Sequence, residues 1–178
     1  KKNRLNKKNI KIYCGSQIDE VFINNLILKY GKFDIIIDDG SHFPKHVIKT
    51  FNLLFLSLKS NGIYFVEDTH TSYNHYFGGN AFDLKFSNTH VNYFKSLTDS
   101  LNYQEIANPF YTKSKYDSKI TNISFYHNLV FVRKGKNLRL SKEVLNHSYE
   151  KMKFKEKSSR TGKRVRYYIK YMIFYQIY

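Results

Sequence analysis

Apolar residues fall in short blocks whose period changes along the chain, and the changes mark the elements. Ile10-Lys-Ile-Tyr-Cys14 reads as a short strand, after which Gly15-Ser16 turns the chain. Ser16 with Asp19 three residues on resembles a capping box. Val21, Phe22, Leu26 and their apolar neighbours then predict a helix to about Tyr30, closed by Gly31. Within Phe33–Asp38, Ile35-Ile36-Ile37 is a continuous β-branched run bounded by turn residues. Such a run predicts a strand buried on both faces, as in a parallel sheet.

Asp39-Gly40-Ser41 is a turn, and Pro44 suits the first turn of a helix. Val47, Ile48, Phe51, Leu54, Phe55 and Leu58 recur at helical spacing, with Asn61-Gly62 as the stop. Ile63-Tyr-Phe-Val66 is the next strand. Residues 67–81 form a polar, aromatic, glycine-containing loop. Ser87 or Asn88 caps a helix carrying Val91, Phe94, Leu97 and Leu101. Ile120 to Tyr126 and Leu129 to Arg133 read as a hairpin turning at His127-Asn128. Strand, helix, strand in alternation with short connections is the pattern of an α/β protein with a parallel sheet. The expected organisation is one α/β domain over residues 1–134 and a tail over 135–178, Lys/Arg-rich and then aromatic, which suits a surface helix, a linker or the start of a further domain.

Composition narrows the classes. Apolar residues make up 42% of the 178, which argues against wholesale disorder. The single cysteine, Cys14, excludes a disulfide framework and a cysteine-based zinc site. No run of about 18 apolar residues is present to span a membrane. The start, Lys1-Lys-Asn-Arg-Leu, has neither an initiator Met nor the apolar run of a signal peptide, so the expectation is a cytoplasmic protein cut at its N-terminus. The net charge of +16 sits at the ends: Lys and Arg dominate the first eleven residues and those from Lys134 onward, while the middle is balanced. A basic tail can attract nucleic acid or, weakly, an anionic membrane. Lys outnumbers Arg by 24 to 6, where selected phosphate contacts would favour Arg, which argues against a nucleic-acid partner.

The chemistry-bearing residues lie at strand ends. Asp38 and Asp39 follow one predicted strand, Glu67 and Asp68 the next, and His42 stands just beyond the first pair. A strand–helix–strand unit crosses over right-handedly and makes its strands neighbours, roughly 4.8 Å apart. Their carboxyl ends line the crevice in which open α/β sheets bind ligands. Clustered carboxylates repel unless a cation relieves them, and all-oxygen donors suit Mg²⁺ or a similar hard ion. A histidine beside such a site can serve as general base. Singly, each residue has a plainer reading: Asp38 as a cap or turn residue, Asp39-Gly40 as an ordinary turn, Glu67-Asp68 as solvated charges, His42 as a helix-start residue.

Ile-Ile-Ile-Asp-Asp-Gly-Ser-His (35–42), followed by Asn-Gly-Ile-Tyr-Phe-Val-Glu-Asp-Thr-His-Thr-Ser-Tyr (61–73), resembles the metal-dependent sugar O-methyltransferases of the macrocin and mycinamicin type. These are class I S-adenosylmethionine (SAM) methyltransferases, with cephalosporin-hydroxylase-like relatives. Gly15-Ser16-Gln17…Phe22 and the pair of strands at 123–133 also fit, so the resemblance covers roughly residues 8–134. It implies a Rossmann-like sheet, mostly parallel with a C-terminal antiparallel hairpin. It implies Asp39, Glu67 and Asp68 as metal ligands, His42 as general base, and Asp38 with Gly15, Ser16 and Gln17 near the adenosine part of SAM. The loop holding His70, Thr71, Ser72, Tyr73, His75 and Tyr76 lies where substrate would be covered, although it also reads as a merely exposed aromatic loop. The implied reaction is methyl transfer to a sugar hydroxyl of a glycosylated small molecule or polysaccharide. The acceptor, and whether the protein is a homo-oligomer, stay open.

The resemblance has one gap. The family's glycine-rich turn after the first strand, and the acid that ends the second and holds the ribose, are absent; Gly78-Gly79 comes too late to replace that turn. Both are expected upstream of Lys1, which makes this chain the C-terminal part of an enzyme inactive alone. Two alternatives remain: a non-catalytic basic binding module, and a hydroxylase-like relative of the same fold.

Overall fold

The computed structural model describes residues 10–138. In order, these form α1 (Glu20–Tyr30), β1 (Phe33–Asp38), α2 (Pro44–Leu54), β2 (Leu58–Glu67), α3 (His90–Leu101), β3 (Ile120–Tyr126) and β4 (Leu129–Lys134). Short 3₁₀ turns at Phe55–Ser57, Thr69–Tyr73, His75–Phe77 and Tyr103–Glu105 link them. The sheet is mixed, with strand order β1-β2-β4-β3. β1 and β2 are parallel, with α2 as their crossover, and β4 runs antiparallel to both β2 and β3.

Several boundaries differ from the sequence reading. Residues 10–14 form no strand. Among the described residues they join no strand of the sheet, and a strand exists only through its ladder of hydrogen bonds. The cap of α1 is Asp19 rather than Ser16: the Asp19 carboxylate accepts from the amides of Val21 and Phe22 at 2.9 and 3.1 Å. The cap of α3 is Thr89, not Ser87 or Asn88; its hydroxyl accepts from the Asn92 amide. α2 starts at Pro44 as expected but stops at Leu54, and Leu58 already belongs to β2, in register with Phe33. Asn61-Gly62 therefore lies inside a strand. Asn61 has φ 68, a conformation Asn tolerates, and the kink absorbs the register shift between the pairings of Phe33 and Ile35.

One face of the sheet builds the core. Tyr64, Val66, Val130 and Val132 alternate inward on β2 and β4 and are buried against α2 and α3. Phe51 of α2 is the hub, with the rings of Phe55, Tyr64, Phe94 and Tyr116 at centroid distances of 4.8, 5.0, 5.0 and 5.4 Å. The sequence reading of a both-face-buried β1 is not met among the described residues: Ile35 and Ile37 are exposed, beside the Phe65–Phe131 ring pair. The expected tail over 135–178 lies mostly, from residue 139 onward, outside the described residues. No helix among the described residues is long and apolar enough to cross a membrane.

Candidate active site

The crossover brings the ends of β1 and β2 side by side, Asp38 level with Val66. Each strand then leaves through a residue in the left-handed region: His42 with φ 56 and Asp68 with φ 51. A side chain in that conformation is strained by roughly 1–3 kcal/mol and persists only where neighbours hold it. Thr71 supplies part of the hold. Its buried hydroxyl lies 2.8 Å from the His42 carbonyl and 3.0 Å from the Asp68 carbonyl, so one residue ties the two loops together.

The result is a compact polar group. His42 Nε2 lies 3.7 Å from Asp39 Oδ1 and 3.7 Å from Asp68 Oδ2. One potential ligand atom from each of Asp39, His42 and Asp68 lies within 4.8 Å of the others. Asp39 and Asp68 are open to solvent, with 62% and 51% of their side chains exposed, while His42 is mostly covered at 20%. Exposed carboxylates facing one imidazole fit a hard divalent ion that keeps several positions for water or hydroxyl oxygens. Glu67, exposed at the end of β2, is not in this group. Glu67 is the last residue of β2, and the chain turns out of the strand at Asp68, with φ 51.

The residues assigned to SAM divide. Asp38 is buried and accepts from Tyr64 Oη and from Gln17 Nε2, both at 3.2 Å. Burial raises its pKa, opposed by hydrogen bonds from Tyr64, the Gly40 amide and Gln17. The polar ends of Asp38 and Gln17 are thus turned onto each other. Gly15 is required by close packing: a Cβ there would lie 2.6 Å from the Phe22 ring. Ser16 lies exposed in the turn before α1, its hydroxyl 3.4 Å from the Ile18 amide.

The loop after β2 divides as well. His70, Tyr73, His75 and Tyr76 are exposed, and His70 Nδ1 lies 3.8 Å from Asp68 Oδ1. Thr71 and Ser72 are buried, and the Ser72 hydroxyl accepts from the Val91 amide at the start of α3. Gly79 packs against the carbonyls of Thr71 and Ser72, leaving no room for a Cβ. His70 and His75 stay outside the potential ligand group, so no two-histidine, one-carboxylate triad forms among the described residues.

Sequence reasoning missed His90. It is fully buried behind the loop, and neither ring nitrogen has a hydrogen-bond partner. Burial lowers its pKa to about 4; the Thr69 backbone pulls the other way without a hydrogen bond of good geometry. A histidine on an otherwise apolar helix face carries no sequence signal of this. The folded state thus holds His90 neutral while the unfolded chain protonates it below its ordinary value of 6.5. Stability is therefore lost as pH falls from about 6.5 to 4, by up to about 3 kcal/mol. Urea unfolding from pH 7 to 4.5 checks this: a His90→Leu variant should show a shallower loss of stability than wild type.

No family model matches the chain. The α/β sheet is Rossmann-like, and solved methyltransferase structures superimpose on it. Among them is the MycE methyltransferase of the mycinamycin biosynthetic pathway, crystallised with Mg and SAH (S-adenosylhomocysteine). It superimposes with a TM-score of 0.71 at 34% identity, over 82% of this chain and 40% of that one. Its second crystal form gives 0.74 at 32% identity, over 89% of this chain and 41% of that one. In sequence the chain is 37% identical over 137 residues to the mycinamicin VI 2''-O-methyltransferase of Micromonospora griseorubida, covering 76% of this chain and 34% of that protein. The demethylmacrocin O-methyltransferase of Streptomyces fradiae is also 37% identical, over 76% of this chain and 35% of the relative. The resemblance carried by the two strand-end motifs therefore holds. The chain spans about a third of the length of these curated relatives.

Proposed function

We propose that this chain supplies the metal- and base-bearing part of a SAM- and Mg²⁺-dependent O-methyltransferase acting on a sugar hydroxyl of a glycosylated natural product or polysaccharide. The observation that carries the reading is the group of Asp39, His42 and Asp68 at two adjacent parallel strand ends, with potential ligand atoms within 4.8 Å. The relatives, named as O-methyltransferases of mycinamicin VI, of demethylmacrocin and of a rhamnosyl-bearing tetracenomycin, support the reaction class.

Asp39 and Asp68 would hold the ion, with Glu67 as a further carboxylate once its side chain turns toward them. When bound, Mg²⁺ supplies charge that orients and acidifies adjacent sugar hydroxyls, and SAM supplies the methyl group. His42 receives the hydroxyl proton at Nε2 as the oxygen gains the methyl. Thr71 holds His42 and Asp68 in register, which is the positioning this reaction needs. With the side chains of Gln17 and Asp38 occupied by each other, the Gly15–Gln17 turn would meet the adenosine through its backbone rather than through them. His70, Tyr73 and His75 form the exposed rim on the acceptor side.

The test is methyl transfer from labelled SAM to a panel of glycosides by the natural protein at its full length, with and without Mg²⁺. EDTA should abolish transfer and Mg²⁺ restore it. His42→Gln should lower kcat by roughly 10²–10⁴-fold and leave Mg²⁺ affinity within a few-fold. Transfer that survives EDTA, or a His42→Gln enzyme with wild-type kcat, would overturn the assignment.

A further inference from the structure

We propose that Gln17 is a positioning residue: its carboxamide clamps the 38–41 turn and so sets the Asp39–His42 geometry, in place of a side-chain contact to SAM. The inference rests on the function proposed above. Gln17 precedes α1, outside both strands of the site, yet all three of its polar hydrogen-bonding positions are used on this turn and its support. Nε2 donates to Asp38 Oδ1 at 3.2 Å and to Thr50 Oγ1 at 2.9 Å, and Oε1 accepts from the Ser41 amide at 2.7 Å. Thr50 is buried on α2 and donates in turn to the His46 carbonyl at 2.8 Å. The carboxamide lies so close against the turn that a Cβ at Gly40 would collide with Gln17 Oε1.

What the clamp holds is strained. His42 has φ 56, and the turn around it is held from outside at two backbone groups. The Ser41 amide before it is held by Gln17, and its own carbonyl by Thr71. Removing either hold lets residue 42 relax toward an ordinary conformation, which swings the imidazole away from Asp39 and Asp68. On the far side, Tyr64 Oη holds the other oxygen of Asp38. The turn is therefore pinned from α1's entry, from α2 and from β2 together.

A reciprocal pair of substitutions tests this in the natural protein at its full length, with Mn²⁺ as the metal probe. Gln17→Glu places two carboxylates face to face and should weaken Mn²⁺ binding and lower kcat by tenfold or more, with KM for SAM within twofold. Asp38→Asn in the same chain gives the new carboxylate an amide donor, the Thr50 hydroxyl can rotate to donate, and the charge of the pair is restored. The double variant should recover to within about threefold of wild type, a coupling that a purely additive loss of stability does not produce. Gln17→Met should speed hydrogen exchange at the Ser41 amide at least tenfold while α2 amides stay protected, a readout independent of activity. The clamp is overturned if Gln17→Glu leaves Mn²⁺ binding and kcat unchanged, if it raises KM for SAM alone, or if the double variant shows no recovery. Wild-type protein that neither binds Mn²⁺ nor transfers methyl groups overturns the function proposed above and this inference with it. Failure in the variants alone overturns only the clamp.

Discussion

Asp68→Asn and Asp39→Asn are each expected to lower methyl transfer by about 10³-fold, equivalent to about 4 kcal/mol of transition-state stabilisation. Asparagine is the right replacement at position 68 because the backbone there has φ 51, which Asn adopts with little strain. The fold is then kept while one anionic oxygen facing His42 is lost. Asp39 is more exposed and sits after β1 in the same group, so its loss should act on the same step. Initial rates at saturating SAM, taken across a Mg²⁺ titration, separate the cases. A rate recovered at high Mg²⁺ assigns the carboxylate to affinity; a rate that stays low assigns it to orienting the hydroxyl. Both variants turning over at the wild-type rate in trace Mg²⁺ would remove the metal from these residues.

The second large effect is on stability. Phe51→Ala is expected to cost about 3–5 kcal/mol, in the upper range for a buried aromatic. Its ring is fully buried and packs against five other aromatic rings from α2, β2, α3 and the segment before β3. The cavity cannot close without moving the elements that define the sheet's covered face. Leu28→Ala on α1, by contrast, removes a side chain that is 82% exposed and should change stability by less than about 0.5 kcal/mol. Denaturant unfolding of both variants under one buffer measures the contrast. Phe51 also packs on Tyr64, which donates to Asp38, so the first variant should loosen the site before it unfolds the domain.

Much of the site was legible because its signals are local. Asp38-Asp39 and Glu67-Asp68 are read as strand-terminal from the apolar runs before them, and the single crossover by α2 leaves the two ends little choice but adjacency. The hairpin at His127-Asn128 was equally local, and Asn128 takes the left-handed conformation, φ 58, that such a turn uses. The misreadings were those that depend on partners. Residues 10–14 have strand-like composition, but among the described residues no neighbour completes a ladder with them. Asn61-Gly62 looks like a helix stop, yet Leu58 is claimed by Phe33 through strand pairing, which overrides the helical periodicity of Phe51, Leu54, Phe55 and Leu58. Thr71 and Ser72 have the polarity of loop residues, but they are buried because each satisfies backbone groups of another segment.

The sequence by itself determined the α/β alternation and the strands that end in acids, because hydrophobic period and turn residues act over a few neighbours. It did not determine which carboxylates meet. The tertiary structure grouped Asp39, His42 and Asp68, and left Glu67 outside that group. It turned Gln17 and Asp38 inward onto each other and buried His90 without a partner. Each of these outcomes depends on backbone torsions and on residues far apart in the chain, where the cost of burying a polar group is decided by whatever the fold brings beside it.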